Sequence, residues 1–167
     1  MRRRRSNFSG FTLLELVFVL VILAVLAAMV APSLRSFGIG RSNEDTATLL
    51  VGLAGYAHTQ SASEGRVYRL NFDVPGRAFW LTAQQGAAFV PPTNDFGRRC
   101  TAADGVAQMS VDLQPRPDGD YVEFQPTGLT DPAPVQIRLI DKLGGSVGVA
   151  CLSSTETFQV LPKQGAR

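Results

Sequence analysis

The sequence predicts an α+β fold, with one long N-terminal helix packed on an antiparallel β-sheet domain. Three observations predict it. No polar side chain interrupts Leu16 to Ala31. Ala47, Leu50, Leu53, Ala54 and Ala57 then recur at helical spacing. From Tyr68 onward the apolar positions switch to a period of two. At 167 residues the chain has room for one modest core and an N-terminal accessory segment.

The first element is the apolar run. Phe11 to Ala31 adds only Thr12 and Glu15 as polar residues. At helical rise it is roughly 31 Å long, close to one hydrocarbon core. Pro32 marks the end of this run or a kink in it, because it lacks an N–H and clashes with the preceding turn. Arg2 to Arg5 precede the run and predict that this end stays cytoplasmic and the C-terminal part is exported. Setting those arginines aside leaves twelve basic against fourteen acidic side chains, so the formal charge of +2 is local to the N-terminus. No basic surface that would imply nucleic acid follows from composition.

Three readings fit this segment. A cleaved secretory signal would have a shorter apolar region and a better small-x-small site than Met29-Val30-Ala31. A plain signal anchor leaves Glu15 without a purpose. An ionisable residue in an apolar span is by default functional, and that reading gives Glu15 a role.

Beyond Pro32, Gly38 and Gly40 weaken the helix, predicting an easily melted stretch or a break. Ser42-Asn43-Glu44-Asp45 reads as a cap with first-turn acids for a second helical piece. Gly52 and Gly55 are expected to permit close approach of a sheet. Tyr68, Leu70, Phe72 and Val74 alternate with Arg69, Asn71 and Asp73 in a half-buried strand. Pro75-Gly76 turns the chain, and Arg77 to Thr82 returns as its partner. Gly86 leads into a short apolar strand, Ala87 to Val90, and an irregular region runs from Pro91 to about Gly105. Strands are expected at Val106–Leu113, Tyr121–Phe124, Val135–Leu139, Val147–Cys151 and around Phe158 and Val160, six to eight in one antiparallel sheet.

Gly10-Phe11-Thr12-Leu13-Leu14-Glu15-Leu16, with its basic leader and Pro32, resembles the class III signal of type IV pilins and type II secretion pseudopilins. The resemblance implies cleavage after Gly10 by a prepilin peptidase and N-methylation of Phe11. It makes Glu15 the fifth mature residue, whose carboxylate would pair with the Phe11 amine of a neighbouring subunit and set register in the filament. The domains would be a cytoplasmic leader at 1–10, a transmembrane or filament-core helix at 11–31, a continuation packed on the domain at 32–62, and a periplasmic β domain at 63–167. Gly65 to Asp73, Trp80 and the run Val122 to Gly128 followed by two strands are similar, more loosely, to H-type minor pseudopilins. Implied partners are the peptidase, other pilins or pseudopilins, an inner-membrane assembly platform and the lipid bilayer. DNA enters only if the chain is a minor uptake pilin, one of the alternatives, alongside adhesion and motility pilins. A signal-anchored periplasmic binding protein or enzyme is a third reading.

Other chemistry is sparse. Cys100 and Cys151 are a candidate disulfide pair or two buried thiols. His58 is the single imidazole and cannot complete a zinc set. No nucleophile elbow is present, so the expected role is structural, with no catalytic residue, metal or cofactor. Asp118-Gly119-Asp120 lacks the ligand ladder of a calcium loop. Arg98-Arg99 reads as solvated surface before it reads as a phosphate contact, and Trp80 as core or helix-packing surface.

Overall fold

The computed structural model describes residues 13–114 and 116–164, with side-chain surroundings for 13–22, 42–114 and 116–161. Helix α1 spans Leu13–Glu64. Among the described residues ten strands follow: β1 (Tyr68–Asp73), β2 (Ala78–Gln85), β3 (Ala88–Val90), β4 (Cys100–Thr101), β5 (Val106–Asp112), β6 (Asp120–Phe124), β7 (Thr130–Asp131), β8 (Val135–Asp141), β9 (Ser146–Cys151) and β10 (Gln159–Gln164). A short 3₁₀ turn at Asp95–Gly97 precedes β4, with the Asn94 side chain accepting from the Phe96 N–H.

The chain divides into two compact units, one ending at Phe37 and the other beginning at Gly38. Pro32, Gly38 and Gly40 do not end the helix, because α1 continues through all three. Ser42 does not cap a new helix either. Its carbonyl accepts from the Thr46 hydroxyl at 2.8 Å, a bond of the helix interior.

The strands form two sheets where one was expected. The first has order β3-β2-β1-β6-β7, with β4 also paired to β2. The second has order β10-β9-β8-β5. All described pairings are antiparallel. The two-residue strands β4 and β7 are too short to show a period, which is why the expected count fell below ten.

The expected β1–β2 hairpin is present, with Leu70 opposite Leu81 and Phe72 opposite Phe79. In its turn, a Cβ at Gly76 would crowd the Asp73 carboxylate, which accepts from the Gly76 N–H at 3.0 Å, so a larger residue would push that side chain aside. Along β1 burial alternates strictly, with Tyr68, Leu70 and Phe72 inside. In β8 and β9 the inward set is Val135, Ile137, Leu139, Val147, Val149 and Cys151, all at most 2% exposed. Ala47, Leu50, Leu53, Ala54 and Ala57 of α1 complete one apolar cluster with both sheets and are at most 3% exposed.

The glycine expectation was wrong in direction. Gly52 lies on the exposed side of α1, Gly55 is half-buried, and a Cβ at either would meet nothing within 4 Å. Close approach to the sheets is provided instead by Ala47, Ala54 and Ala57, which sit on the buried stripe.

Candidate assembly interface

Gly10 and Phe11, the expected cleavage and methylation positions, lie outside the described residues. The helix that follows them is described from Leu13, and its first turn contains Glu15. From Leu13 to Ile22 every side chain is exposed, from 82% at Leu13 and 67% at Phe18 to 46% at Ile22. A helix apolar on all sides is built for surroundings that cover all sides, a bilayer or a bundle of other helices. Glu15 is exposed within this surface. Among the described residues no helix is long and apolar enough to cross a membrane.

In the second unit, polar residues fix α1 to the sheets at both ends of its apolar stripe. Asn43, fully buried, donates through Nδ2 to the carbonyls of Leu139 (3.5 Å) and Gly145 (3.3 Å) beside the β8–β9 turn. That turn is organised by buried Asp141, whose Oδ1 accepts from the N–H groups of Leu143 (2.8 Å) and Gly145 (2.9 Å). Thr46 accepts from the Ala103 N–H at 3.2 Å. At the far end, Ser61 donates to the Gln125 carbonyl at 3.2 Å, and His58 Nε2 donates to the Gly128 carbonyl at 3.1 Å. The helix therefore bonds to the second sheet near its Asn43 end and to the first sheet near its Ser61 end. Sequence reading missed Asn43, Thr46 and Ser61. The available signal was their place at the two ends of the same helical stripe as Leu50, Ala54 and Ala57.

The remaining candidates are structural. His58 is a helix–sheet contact. Arg98 pairs with Asp95 at 3.0 Å, and Arg99 pairs with Asp73 while covering the Trp80 ring at 4.4 Å. Both guanidinium groups are thus held by carboxylates. Trp80 is half-buried on the outer face of the first sheet, opposite in direction to buried Phe79 and Leu81. On that face Arg69 pairs with Glu123 at 2.8 Å and lies over the rings of Phe89 (3.5 Å) and Tyr121 (4.1 Å). Among the described residues, no cluster of three metal-ligating side chains occurs, and Asp118 and Asp120 are exposed residues flanking Gly119.

Cys100 and Cys151 are free thiols. They sit in different sheets, and each faces local carbonyls: Cys100 that of Arg98 at 3.7 Å, Cys151 those of Ser153 (3.1 Å) and Glu156 (3.2 Å). Burial pushes both thiols above their ordinary pKa.

Residues 5–31 match the prokaryotic N-terminal methylation motif. The described chain also superposes on two structures of the minor pseudopilin EpsH from the type II secretion system of Vibrio cholerae. One is 15% identical with a TM-score of 0.60, covering 72% of this chain and 96% of that one. The other is 13% identical with a TM-score of 0.61, covering 76% and 98%. The chain carries the methylation motif at its N-terminus and has a pilin-like fold. The pilin-like architecture extends to the type IV minor pilin FimU of Pseudomonas aeruginosa, at 13% identity and a TM-score of 0.55, covering 75% of this chain and 92% of that one. No curated protein sequence matches the chain significantly.

Proposed function

We propose that this protein is a non-enzymatic minor pseudopilin, a structural subunit of a type II secretion pseudopilus that serves protein export across the outer membrane. The observation that carries the reading is Glu15 exposed on an otherwise apolar helical surface, a few residues after a Gly-Phe cleavage signature. In this reading the precursor sits in the inner membrane, with its leader cytoplasmic and its β domain periplasmic. Prepilin peptidase cuts after Gly10, and the new N-terminus at Phe11 is methylated. The inner-membrane assembly platform then moves the helix from lipid into the filament core. There the carboxylate of Glu15 pairs with the Phe11 amine of a neighbour, which offsets the cost of placing either charge in an apolar medium. Pro32 supplies a step without a backbone N–H, where the helix can bend as it passes between the two surroundings.

A minor type IV pilin is the second reading, supported by the likeness to FimU. The higher TM-scores of the two secretion-system structures favour the first. Co-expression with a prepilin peptidase tests the shared part: mass spectrometry of the mature chain should find Phe11 as a methylated N-terminus. Glu15→Gln should leave the cut intact and block filament incorporation. Normal incorporation of that variant would sink the pairing mechanism. Deleting the gene separates the systems, because a pseudopilin loss stops exoprotein release and a pilin loss does not.

A further inference from the structure

The two sheets have unequal edges. In the first sheet the outer strands are β3 with three residues, β4 with two and β7 with two. In the second sheet, β10 contains Pro162, which has no N–H to offer a neighbouring chain. These are the ordinary ways of blunting an edge. Strand β5 is neither short nor interrupted by proline, and its one irregularity, between Val106 and Gln108, lies at its start and leaves Gln108 to Asp112 in regular register. It is a seven-residue edge strand paired only with β8. Arg77 donates to the Val106 carbonyl at its start. From Ala107 to Asp112, among the described residues, no hydrogen bond from another segment reaches the side away from β8. One face of this strand is anchored, since Met109, Val111 and Leu113 pack on the core. On the other face Ser110 and Asp112 are exposed beside Arg138 and Gln136 of β8. The edge runs on into an open groove of about 530 Å³, lined by Asp112, Leu113, Gln114, Pro132 and Pro134 and by the Arg116–Asp131 ion pair.

We infer that the β5 edge is a docking site for an extended segment of a partner protein, which adds as a strand to the second sheet and continues into this groove. Backbone bonding along β5 supplies the contact, and side chains set the choice. An added strand places alternate side chains beside Ser110 and Asp112, and among the described residues Asp112 forms no ion pair. The segment therefore presents a lysine or arginine at that position, with apolar residues on the face that meets Val111 and Leu113. A second copy of this chain fits less well, because its own β5 contains no basic residue to offer Asp112. The inference is independent of the secretion reading.

The test uses the full chain in detergent micelles and two fluorescent peptides of alternating threonine and valine, one with lysine and one with glutamate at the central outward position. The lysine peptide should bind saturably and protect the amides of residues 107–112 from exchange, with the glutamate peptide about tenfold weaker. Asp112→Lys, at an exposed position, should keep the far-UV spectrum and reverse the preference. Equal affinity of the two peptides, a preference unmoved by Asp112→Lys, or no binding at about a millimolar would overturn the inference. So would dimers of the chain, seen by sedimentation, that Asp112→Lys leaves intact.

Discussion

Replacing Gly52 and Gly55 by alanine should stabilise the β domain, although both glycines stand in the helix that docks on it. A glycine inside a helix costs about 0.8–1.0 kcal/mol relative to alanine, through backbone entropy. That gain is realised only if the added methyl group meets no obstacle. Here a Cβ at either position has no atom within 4 Å, and neither residue has a positive φ. The double variant should therefore be more stable by about 1.5–2 kcal/mol, with Tm raised by several degrees for a domain of this size. Ala57→Leu, one turn away on the buried stripe where Ala57 is 0% exposed, should destabilise by about 1–3 kcal/mol through overpacking. Urea unfolding of the full chain in micelles, followed by fluorescence of Trp80, reports on the β domain, because Trp80 is the only tryptophan and lies in β2. A loss of stability in Gly52→Ala or Gly55→Ala would refute the assignment of these residues to the open side of α1.

Arg69→Ala should cost about 2 kcal/mol, since it removes the Glu123 pair and uncovers the Phe89 and Tyr121 rings; Arg69→Lys should recover only part, because an ammonium does not stack as a guanidinium does. Asp141→Ala should cost about 2–3 kcal/mol by leaving the Leu143 and Gly145 N–H groups without their acceptor, measured in the same urea assay. Two thiols should titrate after unfolding without reductant, and a count of zero would show a disulfide instead. Because burial raises both thiol pKa values, the native state holds these protons more tightly than the unfolded chain. Their contribution should be fully present below about pH 8.5 and lost as pH rises past it, and alkylation should be slow at neutral pH.

Periodic signals carried most of the fold. The α1 stripe and the alternation in β1, β8 and β9 were legible because each side chain's burial follows from its parity or helical phase. The division into two sheets was not, since period two says which face is inward and nothing about which strands pair. The role of Asn43 was hidden because a polar residue before acids is also what a cap looks like. Gly52 and Gly55 misled because glycine's small size was read as contact, when phase places Gly52 on the side away from Leu50, Leu53 and Ala57. The assembly segment was legible as a motif, and its chemistry depends on order along the chain: leader, Gly10, Phe11, Glu15.

The two parts of α1 ask for different surroundings, and the magnitudes show it. Nine large apolar side chains between Leu13 and Ile22 are 46–82% exposed. At about 1.5–3 kcal/mol for burying each completely, covering the exposed portion stabilises by roughly 10 kcal/mol. That equals the net stability of a typical domain, so water is not a lasting environment for this segment. Downstream, α1 has one buried stripe ended by Asn43 and Ser61, and the β domain already satisfies it. Under the proposed function the first part exchanges lipid for protein surroundings, whereas the second already has its partner. In the proposed assembly Glu15 is the one side chain between Leu13 and Ile22 that distinguishes those two environments, because lipid offers a carboxylate nothing and a neighbouring amine would offer it a partner.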